Sequence, residues 1–300
     1  MPQPSAEILH ALTTSLSAAF TRGLAGVTPQ YLRIATEVPS GSASNTYGWL
    51  SDLPTIKEWV SERQFAQLPQ YGYTIANKTW ENSIRVKREN IEDDQIGQYS
   101  VIAQAFGQQV AEFPDTLSFP LLVAGFTTLC FDGQNFFDTD HPMAGGTYSN
   151  IVGDIATDKG EPWFLIDESQ VLKPILYQKR RAFNFQALDD LSSEHTFKNN
   201  EFLYGVDGRC NVGFGFWQTA CGSRAPLTVA NYEAAVKVLQ GMKRDSGSPL
   251  GIRPTTLVVG PNNRAAAKKI IDAMLVDGGN SNIYYKDVEI VDSPFITTPA

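Results

Sequence analysis

The sequence predicts an α+β protein, and three patterns lead there. Trp80, Asn82, Ile84 and Val86 alternate with Glu81, Ser83, Arg85 and Lys87, the period of a strand with one wet face. Tyr99, Ile102, Ala103, Phe106, Val110 and Phe113 recur at steps of three and four, the period of a helix. Strand signals then dominate as far as Thr219, and beyond Thr228 strand and helix signals intermix.

At the N-terminus, Ile8, Leu9, Leu12, Leu16, Ala19 and Phe20 have helical spacing, and Gly23 and Gly26 are expected to end it. The apolar face of this helix must find a surface, on its own body or on a neighbour. Pro39 to Asn45 has the composition of a flexible hinge. Tyr47, Trp49, Trp59, Phe65, Tyr71, Tyr73 and Trp80 follow without sustained period, so 46–90 is read as an extended, hairpin-like arm. Tyr71-Gly72-Tyr73 is expected to open the partner of the Trp80–Lys87 strand.

Ile91-Glu92-Asp93-Asp94 starts the strongest helix, with acidic residues where the helix dipole favours them. Pro114 should interrupt or kink it, because proline lacks the amide proton and restricts Phe113. Residues 143–161 read as a loop. Strand signals come at Trp163–Ile166, Leu172–Tyr177, Phe202–Val206 and Phe214–Thr219, interrupted by the polar stretch 184–200. Thr228 then caps a helix with Tyr232, Ala235, Val236, Leu239 and Met242 on its buried face, stopped by Gly247. Thr256–Val259 and Val288–Val291 are strands, with a helix between them capped by Asn262 or Asn263. There is no internal repeat.

Composition narrows the function. The 300 residues are 42% hydrophobic, ample for a large core in one or two domains. Charged residues make up only 19%, which fits a surface that meets other protein. A net charge of −8 argues against electrostatic gripping of nucleic acid. Three scattered cysteines suggest a reducing compartment. Residues 1–26 lack the pattern of a signal peptide, and no apolar run is long enough to span a membrane.

Asp132-Gly133-Gln134-Asn135-Phe136-Phe137-Asp138-Thr139-Asp140-His141-Pro142 admits two readings. In one, Asp138, Asp140 and His141 are ligands of a divalent metal in an enzyme. In the other, Phe136 and Phe137 plug a core, Asp138 and Asp140 accept backbone amides, and His141-Pro142 fixes the exit. The only other histidines are His10 and His195, the cysteines lack zinc spacing, and neither a hydrolase elbow nor a phosphate loop is present. The structural reading is preferred, with no catalytic residue, no metal and no cofactor.

Several runs resemble a known family. They are Asn45-Thr46-Tyr47-Gly48-Trp49-Leu50, Ile91-Glu92-Asp93-Asp94, Gly125-Phe126-Thr127-Thr128-Leu129-Cys130 and the loop just quoted. Val212-Gly213-Phe214-Gly215-Phe216-Trp217-Gln218 and Pro249-Leu250-Gly251-Ile252-Arg253-Pro254 complete the set. In order and wording they resemble the major head subunit of Mu-like tailed phages, over roughly Leu24 to Ile296. The resemblance implies the Hong Kong 97-type capsid fold, with an N-terminal arm (1–45), an extended loop (46–92), a peripheral domain with a spine helix (93–224) and an axial domain (225–300). It implies a subunit that self-assembles into hexamers and pentamers of an icosahedral head, made in the host bacterial cytoplasm and ending in the virion. A portal protein, a separate scaffolding protein and packaged double-stranded DNA would be its partners, with room for a decoration or minor capsid protein and no membrane. Tyr47, Trp49, Trp59, Arg85, Lys87 and Arg88 are the expected assembly contacts.

Overall fold

Helix α1 (Ala6–Ala25) lays Leu9, Leu12, Leu16, Ala19 and Phe20 into the body of its own chain. The computed structural model describes residues 6–48, 72–92, 96–143, 146–244, 247–276 and 278–298. After α1 come β1 (Ala35–Pro39), β2 (Ser44–Tyr47), β3 (Tyr73–Ala76) and β4 (Lys78–Lys87). The short α2 (Arg88–Glu92) precedes the long α3 (Ile96–Ala124). Asp93 and Asp94, expected at the start of that helix, lie outside the described residues.

Helix α3 does not stop at Pro114 but runs through it and through Pro120. A proline inside a helix costs about 3 kcal/mol or more. Packing outweighs that here. Phe113 sits edge-on between the rings of Trp80 and Phe183, and Phe119 and Leu122 are fully buried. The Thr116 hydroxyl also donates to the Phe113 carbonyl at 2.7 Å.

Helices α1 and α3 cross at two glycines. A Cβ at Gly107 would stand on the Phe20 carbonyl oxygen, and one at Gly23 on the Gln104 carbonyl, both inside van der Waals contact. Gly23 therefore lies within α1 as a contact point rather than ending it. The apolar face of α1 is covered by its own chain and not by a neighbour, because the glycines let the two backbones approach closely enough to bury it.

The strands β5 (His141–Met143) and β6 (Gly146–Tyr148) form a small hairpin, followed by β7 (Ile151–Val152) and β8 (Trp163–Ile166). Next come β9 (Ile175–Leu188), α4 (Glu194–Asn199) and β10 (Glu201–Phe214). The polar stretch from 184 therefore splits into the end of β9 and a capped helix. Ser193 accepts the Thr196 amide at its start, and Asn200 ends it at φ +53°. The final elements are β11 (Ala220–Ser223), α5 (Val229–Gln240), β12 (Thr256–Val259), α6 (Arg264–Ile271) and β13 (Glu289–Asp292).

Two sheets organise these strands. The four-stranded sheet has the order β1-β9-β10-β4. In it β4 pairs antiparallel with β10, Val86 opposite Phe202 and Ile84 opposite Tyr204. The partner expected at 71–73 is thus replaced by β10, because Val86, Phe202 and Tyr204 share one face that α1 and α3 cover. The five-stranded sheet has the order β13-β12-β8-β11-β7 and takes strands from both sides of residue 224. Every residue of β8 and β12 is buried, so both faces of its centre are covered. Among the described residues no helix is long and apolar enough to cross a membrane.

Two caps differ from expectation. Helix α5 ends at Gly241, ahead of Gly247, which takes φ +79° in a later turn. Neither Asn262 nor Asn263 caps α6 with its side chain; the Glu161 carboxylate accepts both their amides, at 2.9 and 3.0 Å. A carboxylate at a helix N-terminus also meets the dipole favourably.

Candidate assembly site: the arm neck and the loop after the long helix

The antiparallel pair β2–β3 is a short two-stranded neck that brackets residues 49–71. One side chain clamps that neck to the four-stranded sheet. Gln178 is fully buried; its carbonyl accepts the Tyr47 hydroxyl at 2.7 Å, and its amide donates to the Ile75 carbonyl at 3.1 Å. Tyr47 and Ile75 pack with Leu176 and Phe216. Directly across the pair from Tyr47, the Tyr73 hydroxyl accepts the Phe214 amide at 2.8 Å. Both strands of the neck are thus tied to the strands that carry the main core.

The expected assembly contacts separate into three kinds. Tyr47 is 3% exposed, so its ring holds the neck inside the subunit and offers little surface. Its hydroxyl reaches Gln178 only because the β2–β3 ladder points it inward. Trp49 and Trp59 lie outside the described residues. Arg85 and Lys87 are exposed on β4, across from Leu203 and Glu201, while Arg88 is half-buried and gives its amide to the Asn200 carbonyl at 3.0 Å.

The loop after α3 is built around two rings. Phe136 stacks on Phe214 at 4.6 Å, and Phe137 lies 4.9 Å from Phe126 and 5.2 Å from Phe164. The buried Asn150 pins it, donating to the Phe136 carbonyl at 2.8 Å and accepting the Asp138 amide at 3.0 Å. Asp138 accepts the Thr139 amide at 2.7 Å and the Asn135 side chain at 3.0 Å. Asp140 departs from expectation: it is exposed, and no backbone amide among the described residues donates to it. The chain enters β5 here, which turns the Asp140 side chain to solvent.

His141 turns away from both of those aspartates. It is 0% exposed, stacked 3.9 Å above Trp217, with Nδ1 2.7 Å from Asp132 Oδ2. The thiol of Cys130 donates to the other oxygen of Asp132 at 3.0 Å. Burial works against the charge of Asp132, but the bonds from His141 and Cys130 outweigh it and hold its carboxyl below the usual carboxylate range. Burial, aided by the same carboxylate, pushes the Cys130 thiol up. The proposed metal set Asp138, Asp140 and His141 is therefore not assembled; the fold brings His141 to Cys130 and Asp132 instead. Sequence spacing missed Asn150, Gln178 and this trio, because each acts across a tertiary contact. Only the closeness of Cys130, Asp132 and His141 along the chain hinted at the last.

These placements carry a stability prediction. Asp140→Ala should change folding by less than about 0.5 kcal/mol, as surface changes usually do, whereas Asp138→Ala should cost about 0.5–1.5 kcal/mol by removing the bonds it accepts from half-buried Asn135 and exposed Thr139. Urea titrations of the two variants separate them, and equal losses would contradict the geometry.

The family model described as Mu-like prophage major head subunit gpT matches residues 9–296. The chain belongs to that family. A relative from Haemophilus influenzae, the Mu-like prophage FluMu major head subunit, is 40% identical over 283 residues, 92% of each chain. The major capsid protein of Escherichia phage Mu is 39% identical over 282 residues, again 92% of each. Among solved structures, the procapsid of bacteriophage JBD30 matches with a TM-score of 0.87 at 39% identity, covering 97% of this chain and 100% of that one. The JBD30 capsid matches with a TM-score of 0.79 at 30% identity, covering 90% and 92%. The subunit is a major capsid protein with the Hong Kong 97-type fold, a structural protein and not an enzyme.

Proposed function

We propose that this subunit closes into hexamers and pentamers of an icosahedral head that encloses double-stranded DNA, and that residues 49–71 reach across an adjacent subunit. The observation that supports the reading is the neck. A two-stranded ladder clamped through Tyr47, Gln178 and Ile75 gives the arm a rigid root, so its aromatic residues can act as anchors at a distance from the body. Exposed Arg85 and Lys87 on the same sheet suit acidic rims on a neighbour.

The two sheets support a division of the chain into two parts. The peripheral domain would comprise α3 with the four-stranded sheet, and the axial domain the five-stranded sheet with α5 and α6. In this proposal the chain crosses between the two parts three times, before β7, between β8 and β9 and between β10 and β11, in place of a single cut at 224. A portal, a separate scaffolding protein, assembly in the host cytoplasm and sparse, sequence-independent contact with DNA complete the proposal; the charge of −8 supports containment over gripping. A solved JBD30 capsid decorated with minor capsid protein trimers, 30% identical at a TM-score of 0.75, supports room for a decoration protein here.

The arm is tested by exchanging 52–70 for a short Gly-Ser linker, leaving β3 and its packing in place. The variant should fold with unchanged stability and fail to build particles in electron micrographs. Normal heads from that variant would remove the arm from assembly.

A further inference from the structure

The buried trio of Cys130, Asp132 and His141 lies apart from the neck and gathers three metal-binding side chains. One sulfur, one carboxylate oxygen and one ring nitrogen lie within 4.8 Å of one another. We propose that these three side chains bind one divalent zinc-class ion, which clamps the loop between α3 and β5 in the folded subunit.

The donor chemistry selects the metal. Thiolate with imidazole and a single carboxylate suits zinc, while calcium and magnesium prefer oxygen ligands alone. The geometry needs little adjustment. One oxygen of Asp132 stands 3.0 Å from the Cys130 sulfur and the other 2.7 Å from the His141 nitrogen. Tetrahedral ligands about 2.0–2.3 Å from zinc stand about 3.3–3.6 Å apart, within the 4.8 Å that bounds the three donor atoms, so uptake moves them by on the order of an ångström. Backbone bonds already set the ligand loop: the Cys130 amide donates to Gln134 O at 2.8 Å, and Gly133 turns at φ +87°.

Charge also favours binding. Zinc displaces the thiol proton to solvent and the His141 Nδ1 proton moves to Nε2, so the ion with thiolate, carboxylate and neutral imidazole sums to zero, which a buried site tolerates. Three protein donors leave the fourth position to a water. Burial beneath Trp217 gives the ion a holding role and not a catalytic one.

The test uses the full chain, dialysed against zinc and then metal-free buffer. About one equivalent of zinc per chain should remain by elemental analysis, and chelation should lower the melting temperature. Cobalt in place of zinc should give the thiolate charge-transfer band and the visible bands of a tetrahedral site. Cys130→Ser should abolish the charge-transfer band and weaken zinc at least about tenfold, while Cys210→Ser keeps both. Wild-type protein that retains no zinc and melts alike with and without chelator would overturn the proposal. So would a cobalt band that survives in Cys130→Ser. If Cys130→Ser fails to fold, wild-type stoichiometry and spectrum still decide.

Discussion

Phe137→Ala should cost about 3–5 kcal/mol of subunit stability, the usual toll of a buried Phe. The ring is 0% exposed and fits a slot whose walls are glycines. A Cβ at Gly125 would come within 2.9 Å of the ring, and one at Gly222 within 2.8 Å. Those walls are backbone, so they cannot swing in to fill the space a missing ring leaves. The loss also strips partners from Phe126, Phe136 and Phe164 at once. Against a total stability of about 5–15 kcal/mol, much of the protein should misfold and few heads should form. Denaturant midpoints measure the cost directly. Phe197→Ala is the matched control: its ring is 88% exposed, so folding should move by under about 0.5 kcal/mol. A Phe137 variant as stable as that control would show that the loop is not part of the core.

Gly107→Ala should destabilise by about 1–3 kcal/mol through overpacking, with the damage concentrated in α1. The added methyl would meet the Phe20 carbonyl, which is backbone, so the helices must separate or tilt. Separation exposes Leu9, Leu12 and Leu16 against Val86, Phe202 and Tyr204. Proteolysis within α1 should accelerate before global unfolding does. Gly97→Ala offers the opposite sign: nothing stands within 4 Å of its Cβ, and it lies in the same helix. Alanine there should be neutral or stabilising by up to about 1 kcal/mol. If the two substitutions behaved alike, the crossing would not depend on close backbone approach.

Most local structure was legible from period alone. The alternation at 80–87 became β4, the three-and-four spacing from Tyr99 became α3, and Thr228 caps α5 as read, accepting the Asn231 amide at 3.2 Å. The buried runs Trp163–Ile166 and Thr256–Val259 became the central strands of one sheet. The family was legible too, since it rests on residue identity along nearly the whole chain.

Partnership was not legible. Period tells that Val86 and Ile84 face inward, but loop closure and the shared face of α1 and α3 choose β10 as their partner. Prolines at 114 and 120 argue locally for a break, and burial of Phe113, Phe119 and Leu122 overrules them. A capping carboxylate for α6 comes from Glu161, far back in the chain. Only the alternative metal reading put His141 with Asp138 and Asp140; the turn at Gly133 and the start of β5 carry it to Asp132 and Cys130. Propensity and period act over one or two turns of chain and are written in neighbouring residues. Strand pairing, remote caps and convergent side chains are set by which distant surfaces bury each other, and that is decided only when the chain closes.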